Sequence, residues 1–421
     1  MELYIHIPFC IKKCSYCDFL SFETEENIKV QYIRKLIEEI KTCKTECRES
    51  VSTIFFGGGT PSVLRGDEIA DIMSAVRSRF TIEQNAEISL EANPGTVTLD
   101  KLYIYRDTGI NRLSIGLQSA NNDELRLLGR IHTCEEFIES FQLARKAGFD
   151  NINVDLMSAL PGQTPETWLK TLKTVSGLEP EHISAYSLII EENTPFYKKY
   201  GKETPSGYNN EAPSGDTECP KTMDNNNVAP SGYTGCPKTM DNNNVMRNRE
   251  PGRECGDLPS EEEEREMYHD TKRILEEHGY SRYEISNYSL PGFACRHNQG
   301  YWERVNYLGF GLGAASLIEN VRFHNTTKMK QYLNGNFAKE DKEYLTVEAQ
   351  MEEYMFLGLR MSIGISISDF EKEFNCNFSE IYGIVTEKLK KEKLIKNEAG
   401  RLALTEKGID LSNYVLAQYL L

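Results

Sequence analysis

Six short runs of apolar and β-branched residues recur through the first part of the chain: Leu3–Ile7, Val51–Phe56, Glu87–Leu90, Arg112–Ile115, Asn153–Leu156 and Ile183–Ile189. The stretches between them, at 27–47 (Ile28, Tyr32, Leu36, Ile40), 67–79, 98–107, 134–147 and 165–176, carry apolar residues at helical spacing. Strand, crossover helix and next strand, repeated six times, predict an α/β fold: a parallel sheet with helices outside it, curled or open. The C-terminal ends of those strands hold the unusual residues, Gly57–Thr60, Glu91–Asn93, Gln118 and Asp155. Parallel α/β sheets and barrels place their sites at such ends.

With 421 residues, the chain has room for a full-sized core domain and a smaller second one. The predicted core covers 1–200. From 201 to 262 the composition shifts: APSGDTECPKTMDNNNV at 212–228 is followed by APSGYTGCPKTMDNNNV at 229–245, and TPSGYNN at 204–210 resembles a partial copy. A segment so rich in Asn, Gly, Pro and Ser cannot bury enough apolar area to offset its ordering entropy, which predicts a flexible insertion. Cys219 and Cys236, one per repeat and without a nearby His, make a weak metal pair. After the acidic run Glu261–Glu264, helical periodicity returns at 265–278 and the core resumes over 263–340. Residues 341–421 read as a separate unit with helices at 347–361, 367–375 and 379–392, short strands near Leu394–Ile395 and Leu402–Leu404, and a closing helix opened by LTEKG at 404–408. Helices followed by a β-wing resemble a winged helix. Apart from KLKKEK at 388–393 it lacks a concentrated basic recognition helix, so packing or partner docking is the expected role.

Charge narrows the function further. Lys and Arg number 48 against 64 Asp and Glu, a net charge of −16, which argues against bulk capture of nucleic acid or of an anionic membrane. No apolar run approaches the roughly 20 residues of a membrane-spanning helix. The start, MELYIHIPFCIKKCSYC, has the layout of neither a signal nor a transit peptide, so a cytoplasmic location is expected. Eleven cysteines, an odd number in a large chain of this kind, favour thiolates used for metal or redox work over a disulfide framework.

Three of those cysteines, Cys10, Cys14 and Cys17, form CxxxCxxC directly after the first strand. Structural zinc usually takes four ligands in two close pairs. Here three thiols stand close together without a convincing fourth, since His6 belongs to the strand pattern. Three thiolates suit a 4Fe–4S cluster that keeps one iron free for a small molecule, with zinc and plain core cysteines as the alternatives. Cys43 and Cys47, one helical turn apart, lack a third partner and read as packing residues.

CxxxCxxC after the first strand and GGGTPS at 57–62 after the second resemble the radical S-adenosylmethionine (SAM) superfamily. YIHIPFC at 4–10, EANPG at 91–95, RLSIGLQS at 112–119, DLMSALPGQT at 155–164 and YEISNY at 283–288 narrow the resemblance to its oxygen-independent coproporphyrinogen oxidase branch. That resemblance implies a radical SAM partial (β/α)6 barrel followed by the winged-helix-like α+β domain. It also implies a cluster whose free iron is chelated by SAM, and which cleaves the sulfonium by one-electron reduction. Tyr4, Tyr16, Gly58, Gly59, Thr60, Glu91, Gln118, Arg130, Asp155, Ile189 and Ala315 are the SAM-pocket residues it implies. In that set Glu91 would accept from the ribose hydroxyls, Arg130 would pair with the carboxylate and the glycines would let backbone amides approach it.

Two features separate the branches of this family. The coproporphyrinogen oxidases carry a further cysteine two residues after the third, where this chain has Phe19, and they extend well upstream of the first strand, where this chain has Met1–Leu3. HNQGYW at 297–302 matches the HNxxYW motif of the HemW-type haem chaperones. The resemblance thus implies a carrier that binds haem, with His297 as axial ligand to the iron and Tyr301 and Trp302 packed on the porphyrin. Cys295 is a further candidate contact, while the other histidines show no ligand spacing. A lone His beside aromatics is more often structural, and that reading stays open here. The implied partners are haem, a haem-acceptor protein such as a membrane-associated respiratory enzyme, and an electron donor, with no nucleic acid. Whether the radical apparatus also turns over is left open, so no residue is assigned as catalytic. Decarboxylation of coproporphyrinogen III and radical SAM methyl transfer are the alternatives.

Overall fold

The computed structural model describes residues 1–44, 49–201 and 257–421. Cys47, Cys219, Cys236 and the repeats lie outside the described residues. Strands and helices alternate from the start: β1 (Glu2–Ile7), α1 (Glu26–Thr42), β2 (Val51–Gly58), α2 (Gly66–Arg79), β3 (Ile82–Ala92), α3 (Leu99–Asp107), β4 (Arg112–Gln118), α4 (Asn122–Leu128), α5 (Cys134–Lys146), β5 (Ile152–Ser158), α6 (Pro165–Ser176) and β6 (His182–Ser187). The six strands lie side by side in sequence order and pair in parallel, a partial (β/α)6 barrel. Then come α7 (Pro195–Tyr200), α8 (Glu261–Glu277), β7 (Ser281–Arg282), β8 (Asn287–Ser289), α9 (Arg296–Trp302), β9 (Tyr307–Phe310), β10 (Ala315–Ile318), β11 (Val321–Asn325), α10 (Met329–Leu333) and β12 (Lys339–Tyr344). β8 joins β6 antiparallel, β9 joins β1 in parallel, and β10–β12 extend that edge as a meander. The twelve-stranded sheet does not close on itself.

Period-two alternation explains the curl. Leu3, Ile5, Ile7, Ile54, Phe56, Leu113, Ile115, Val154 and Leu156 face outward and form one core with Leu36 and Ile40 of α1, Ile72 and Val76 of α2, Phe137 of α5 and Trp168 of α6. Their neighbours in sequence, among them Glu2, Thr53, Glu87, Arg112, Asn153 and Asp155, are buried on the opposite face. Sheet and helices are therefore joined by apolar burial, of roughly 1.5–3 kcal/mol per large side chain. The concave face is left polar.

Several bounds differ from the sequence reading for physical reasons. β3 begins at Ile82 rather than Glu87, because Glu83, Gln84 and Asn85 mask its first half and its partner Val51 pairs only with Ile82 there. The helix after the repeats starts at Glu261. Its acidic run is the first turn, where carboxylates favour the helix dipole, and Ser260 and Glu263 form a reciprocal cap. α1 stops at Thr42, short of 47, since Cys43 leaves helical geometry with φ −57° and ψ 126°.

The C-terminal elements are α11 (Val347–Gly358), β13 (Ile365–Ser366), α12 (Ile367–Phe374), α13 (Phe378–Lys391), β14 (Ile395–Glu398), β15 (Arg401–Leu404), α14 (Glu406–Asp410) and α15 (Ser412–Ala417). They enclose their own core of Met355, Leu359, Phe370, Tyr382, Leu389, Leu402 and Tyr419 beside a three-stranded sheet in the order β13-β15-β14. Helices and wing together give the winged-helix-like arrangement. Arg304 and Arg322 both reach Glu353 of α11, at 3.2 and 2.6 Å, and Ser362 N donates to Tyr283 O at 2.9 Å. Among the described residues no helix is long and apolar enough to cross a membrane.

One buried carboxylate ties the strand meander to α1. Glu39 accepts from Gly311 N (2.9 Å), Asn325 Nδ2 (2.8 Å), Tyr332 Oη (2.8 Å) and Lys339 Nζ (3.2 Å). Glu39→Ala would strand these donors and is expected to cost about 3–5 kcal/mol. A denaturant midpoint equal to that of the unaltered chain would show that the network carries no weight.

Candidate functional site

β1–β5 end at one cavity of about 890 Å3. Cys10, Cys14, Tyr16, Cys17, Gly58, Gly59, Thr60, Glu91, Gln118, Arg130, Asp155 and Ile189, drawn from separate parts of the sequence, all line it. The loop after β1 is held there by backbone bonds: Cys10 N to Phe22 O (3.1 Å), Ser15 N to Leu128 O (3.0 Å) and Phe196 N to Ser15 O (3.0 Å). Phe9 anchors it below, edge-on to Phe22 and Tyr32.

The glycine turn has a steric cause. Gly58 adopts φ +116°, and a Cβ on Gly59 would lie 2.8 Å from Phe9 O and 3.0 Å from Cys10 Sγ. Glu91 holds the turn from the neighbouring strand β3, accepting from Gly58 N at 3.2 Å. Thr60 Oγ1 donates to Cys10 Sγ at 3.6 Å, and Arg130 Nη1 donates to Cys14 Sγ at 3.7 Å. Arg130 is itself fixed by Gly116 O (2.5 Å) and by Asn93 Oδ1. Gln118 has φ 73° at a register shift in β4, a strained conformation that turns its side chain toward the cavity, where its Oε1 accepts from Tyr186 Oη at 3.1 Å. Asp155 accepts from Ser114 (3.0 Å) and Asn153 (2.7 Å), while burial raises its pKa.

These residues fit an iron–sulfur group. Among the described residues no three His, Cys, Asp or Glu side chains converge on a point that one ion would fill. A polynuclear cluster, with separated corners, is the inorganic group that three such thiols suit. Burial raises the pKa of Cys10, and burial together with Cys14 pushes Cys17 up to about 11. Bare thiolates are therefore disfavoured, and the positive charge of iron would offset that cost. Donors already aimed at Cys10 and Cys14 sulfur are the supporting contacts that such ligands use. Cys10, Cys14, Cys17, Cys43, Cys134, Cys295 and Cys376 are all free of disulfides.

Five of the expected residues lie elsewhere. Tyr4 sits lower on the concave face, stacked on Phe55 with its hydroxyl on His6 Nδ1 at 3.0 Å. Ala315 opens β10, which pairs with β9 rather than with the barrel strands. His297, Tyr301 and Trp302 belong to α9, which plugs the opposite, N-terminal end of the barrel. The His297 ring is 0% exposed, with Nδ1 2.6 Å from Thr53 Oγ1 and its face on Phe55, and burial lowers its pKa to about 3. Its Nε2 has no hydrogen-bond partner among the described residues. For an iron to reach it, α9 must leave the barrel. Tyr301 meets His297 edge-on, and Trp302 lies under the Arg360 guanidinium at 5.1 Å.

The cavity also contains residues that the sequence reading did not single out. Tyr186, inward-facing at the end of β6, has a signal in strand alternation. Arg265, Tyr268, Arg360, Lys407 and Leu411, from α8 and the C-terminal unit, have none, because tertiary docking alone brings them to the cavity wall.

Residues 4–175 match the family described as the radical SAM superfamily, and residues 345–411 match the HemN C-terminal domain. The chain is 33% identical to the heme chaperone HemW of Lactococcus lactis, over 99% of this chain and 97% of that one. It is also 33% identical to the heme chaperone HemW of Bacillus subtilis, over 99% and 98%. The solved coproporphyrinogen III oxidase (HemN) of Escherichia coli superposes with TM-score 0.77 at 25% identity, covering 100% of this chain and 89% of that one.

Gly59→Ala tests the turn. With the backbone of Phe9 and the Cys10 sulfur both too close to a Cβ, the variant is expected to fold yet to retain less iron and sulfide per chain after anaerobic reconstitution. Full cluster content in that variant would show that the turn can yield.

Proposed function

The chain belongs to the family of the heme chaperone HemW within the radical SAM superfamily, and we propose that it is a cytoplasmic carrier that binds haem and passes it to an acceptor protein. In this reading it carries a 4Fe–4S cluster on Cys10, Cys14 and Cys17 together with exchangeable SAM. The observation that carries the cofactor half is the convergence of the three thiols, the glycine turn, Glu91, Gln118 and Arg130 on one cavity. The carrier half is supported by similarity along nearly the whole chain to proteins named heme chaperones, and by Phe19 standing where the oxidase branch has a fourth cysteine.

When bound, the cluster would supply an electron to the sulfonium of SAM. The protein's own groups orient that cofactor. The Arg130 guanidinium would offer a charge to its carboxylate and Glu91 an acceptor to the ribose hydroxyls, while the Gly58 and Gly59 amides hold the turn itself through Glu91 and Ile7 O. Tyr16, packed on Phe196, covers the loop and helps to exclude water. The acceptor in this reading is a membrane-associated respiratory enzyme, and an electron donor reduces the cluster. His297 ligates the iron in this scheme only if α9 withdraws from the barrel.

The 25%-identical coproporphyrinogen oxidase, similar over the whole chain, keeps a second reading in view, in which a porphyrinogen is decarboxylated. One experiment separates the two. Reconstituted protein is titrated anaerobically with haem, and the loaded form is mixed with excess apomyoglobin; parallel samples receive coproporphyrinogen III with SAM and reductant. The carrier reading expects a saturable one-to-one Soret band, transfer to apomyoglobin and no porphyrinogen turnover. Absent haem binding together with porphyrinogen-dependent SAM cleavage would overturn it. Transfer at an unchanged rate by the Cys10, Cys14, Cys17 triple alanine variant would remove the cluster from the transfer step.

A further inference from the structure

Resting on the carrier reading, we propose that the tetrapyrrole is taken up in the outer half of the cavity, between α8 and the α14–α15 end of the C-terminal unit, and not on the buried HNQGYW helix. The inner half, with the thiols, the glycine turn, Glu91 and Arg130, is matched to cluster and nucleoside. At about 890 Å3 the cavity stands near the top of the range, roughly 300–1,000 Å3, that ligand sites occupy. Its outer wall is made by residues that the inner chemistry does not use.

Haem is a flat apolar ring with two carboxylates on one edge, so its site needs apolar walls and cations at the rim. Leu411 is 45% exposed although it lines the concave surface, and Ile285 and Ile409 line the same wall only partly buried. The fold therefore presents them to the cavity instead of burying them. Arg265, Arg360 and Lys407 line the same wall and supply the cations, with the Lys407 ammonium exchanging its 3.2 Å donation to Glu392 O for the ligand. Acids stand there too. Asp410 accepts from Arg265 at 2.8 Å, so a ligand carboxylate would take the place of Asp410 on that guanidinium. Glu264, beside Glu261, is pushed up in pKa by burial, which reduces its opposition to an anion.

The HNQGYW helix gains a role from below. Trp302 sits 5.1 Å from the Arg360 guanidinium, so this helix is a positioning element for one of the cations on the cavity wall. That role leaves His297 on Thr53, where it is buried, and needs no withdrawal of α9.

The test uses the full, cluster-reconstituted chain with SAM present and two probes, haem and haem dimethyl ester. An Arg265→Gln/Lys407→Gln double variant, altered at exposed side chains, is expected to lose about tenfold to a hundredfold in haem affinity, the scale of charged hydrogen bonds. The uncharged diester is expected to bind the double variant and the unaltered chain alike. His297→Ala, with folding checked by circular dichroism and melting temperature, is expected to keep its one-to-one Soret band. Unchanged haem affinity in the double variant overturns the site, and so does loss of the Soret band in a folded His297→Ala chain. If the unaltered chain binds no haem, the carrier reading itself falls and takes this site with it.

Discussion

A polar group buried on the concave face of the half barrel must find a partner there, and that requirement shapes both ends of the barrel. At the N-terminal end, Arg112 is a buried cation whose charge is offset by Glu87. The same Glu87 accepts from Cys295 Sγ (3.4 Å), Arg296 N (3.1 Å) and His297 N (3.2 Å), the first groups of α9. A Cβ on Gly300 would meet the Glu2 carboxylate, so a larger residue there would have to displace that buried side chain. The barrel floor is thus sealed by unmet hydrogen-bonding demand, not by apolar packing alone. At the other end the strands finish in glycine, carboxylate, amide and guanidinium groups around open space, and a ligand can meet the same demand.

This accounts for what was legible in the sequence. The outward face of β1–β6 is written in β-branched residues with turns between, so the parallel order and the helices at 67–79 and 165–176 could be read directly, the first to within one residue of its observed start. The inward face was legible only where special chemistry interrupts the pattern, as at CxxxCxxC, GGGTPS and Glu91. Tyr4 and His297 resist such reading for a shared reason. An inward residue on a strand or plug helix has the same local pattern whether it lies at the cavity or a layer below it, and register alone decides. Tyr4 falls one layer low, and His297 falls at the floor. Gln118 is the opposite case, because a bulge in β4 turns it toward the site and no local residue announces a bulge.

The cysteine loop shows how a cofactor preference is written into burial. Cys10 and Cys17, held in a partly dry pocket, resist ionising, and the neighbouring Cys14 adds to that resistance. Without iron, burial favours the neutral thiol at Cys10 and Cys17, while Cys14 Sγ accepts from the Arg130 guanidinium. With iron the same burial becomes useful, since a low-dielectric surround strengthens the metal–thiolate attraction. The loop therefore needs its backbone anchors, to Phe22, Leu128 and Phe196, because the thiols themselves contribute little to order before the cluster arrives.

The C-terminal unit is held to the barrel unevenly. On the α11 side, Glu353 is buried between Arg304 and Arg322, and breaking such a pair costs about 3–5 kcal/mol. On the α14 side the contacts are Lys272 and Arg282 with Glu406 and Arg265 with Asp410, whose partners are largely exposed on at least one side. Pairs of that kind contribute only about 0–1 kcal/mol each. The wall bearing Lys407 and Leu411 therefore meets the barrel through solvent-screened pairs, while Arg360, just after α11 and over Trp302, lies beside the buried one.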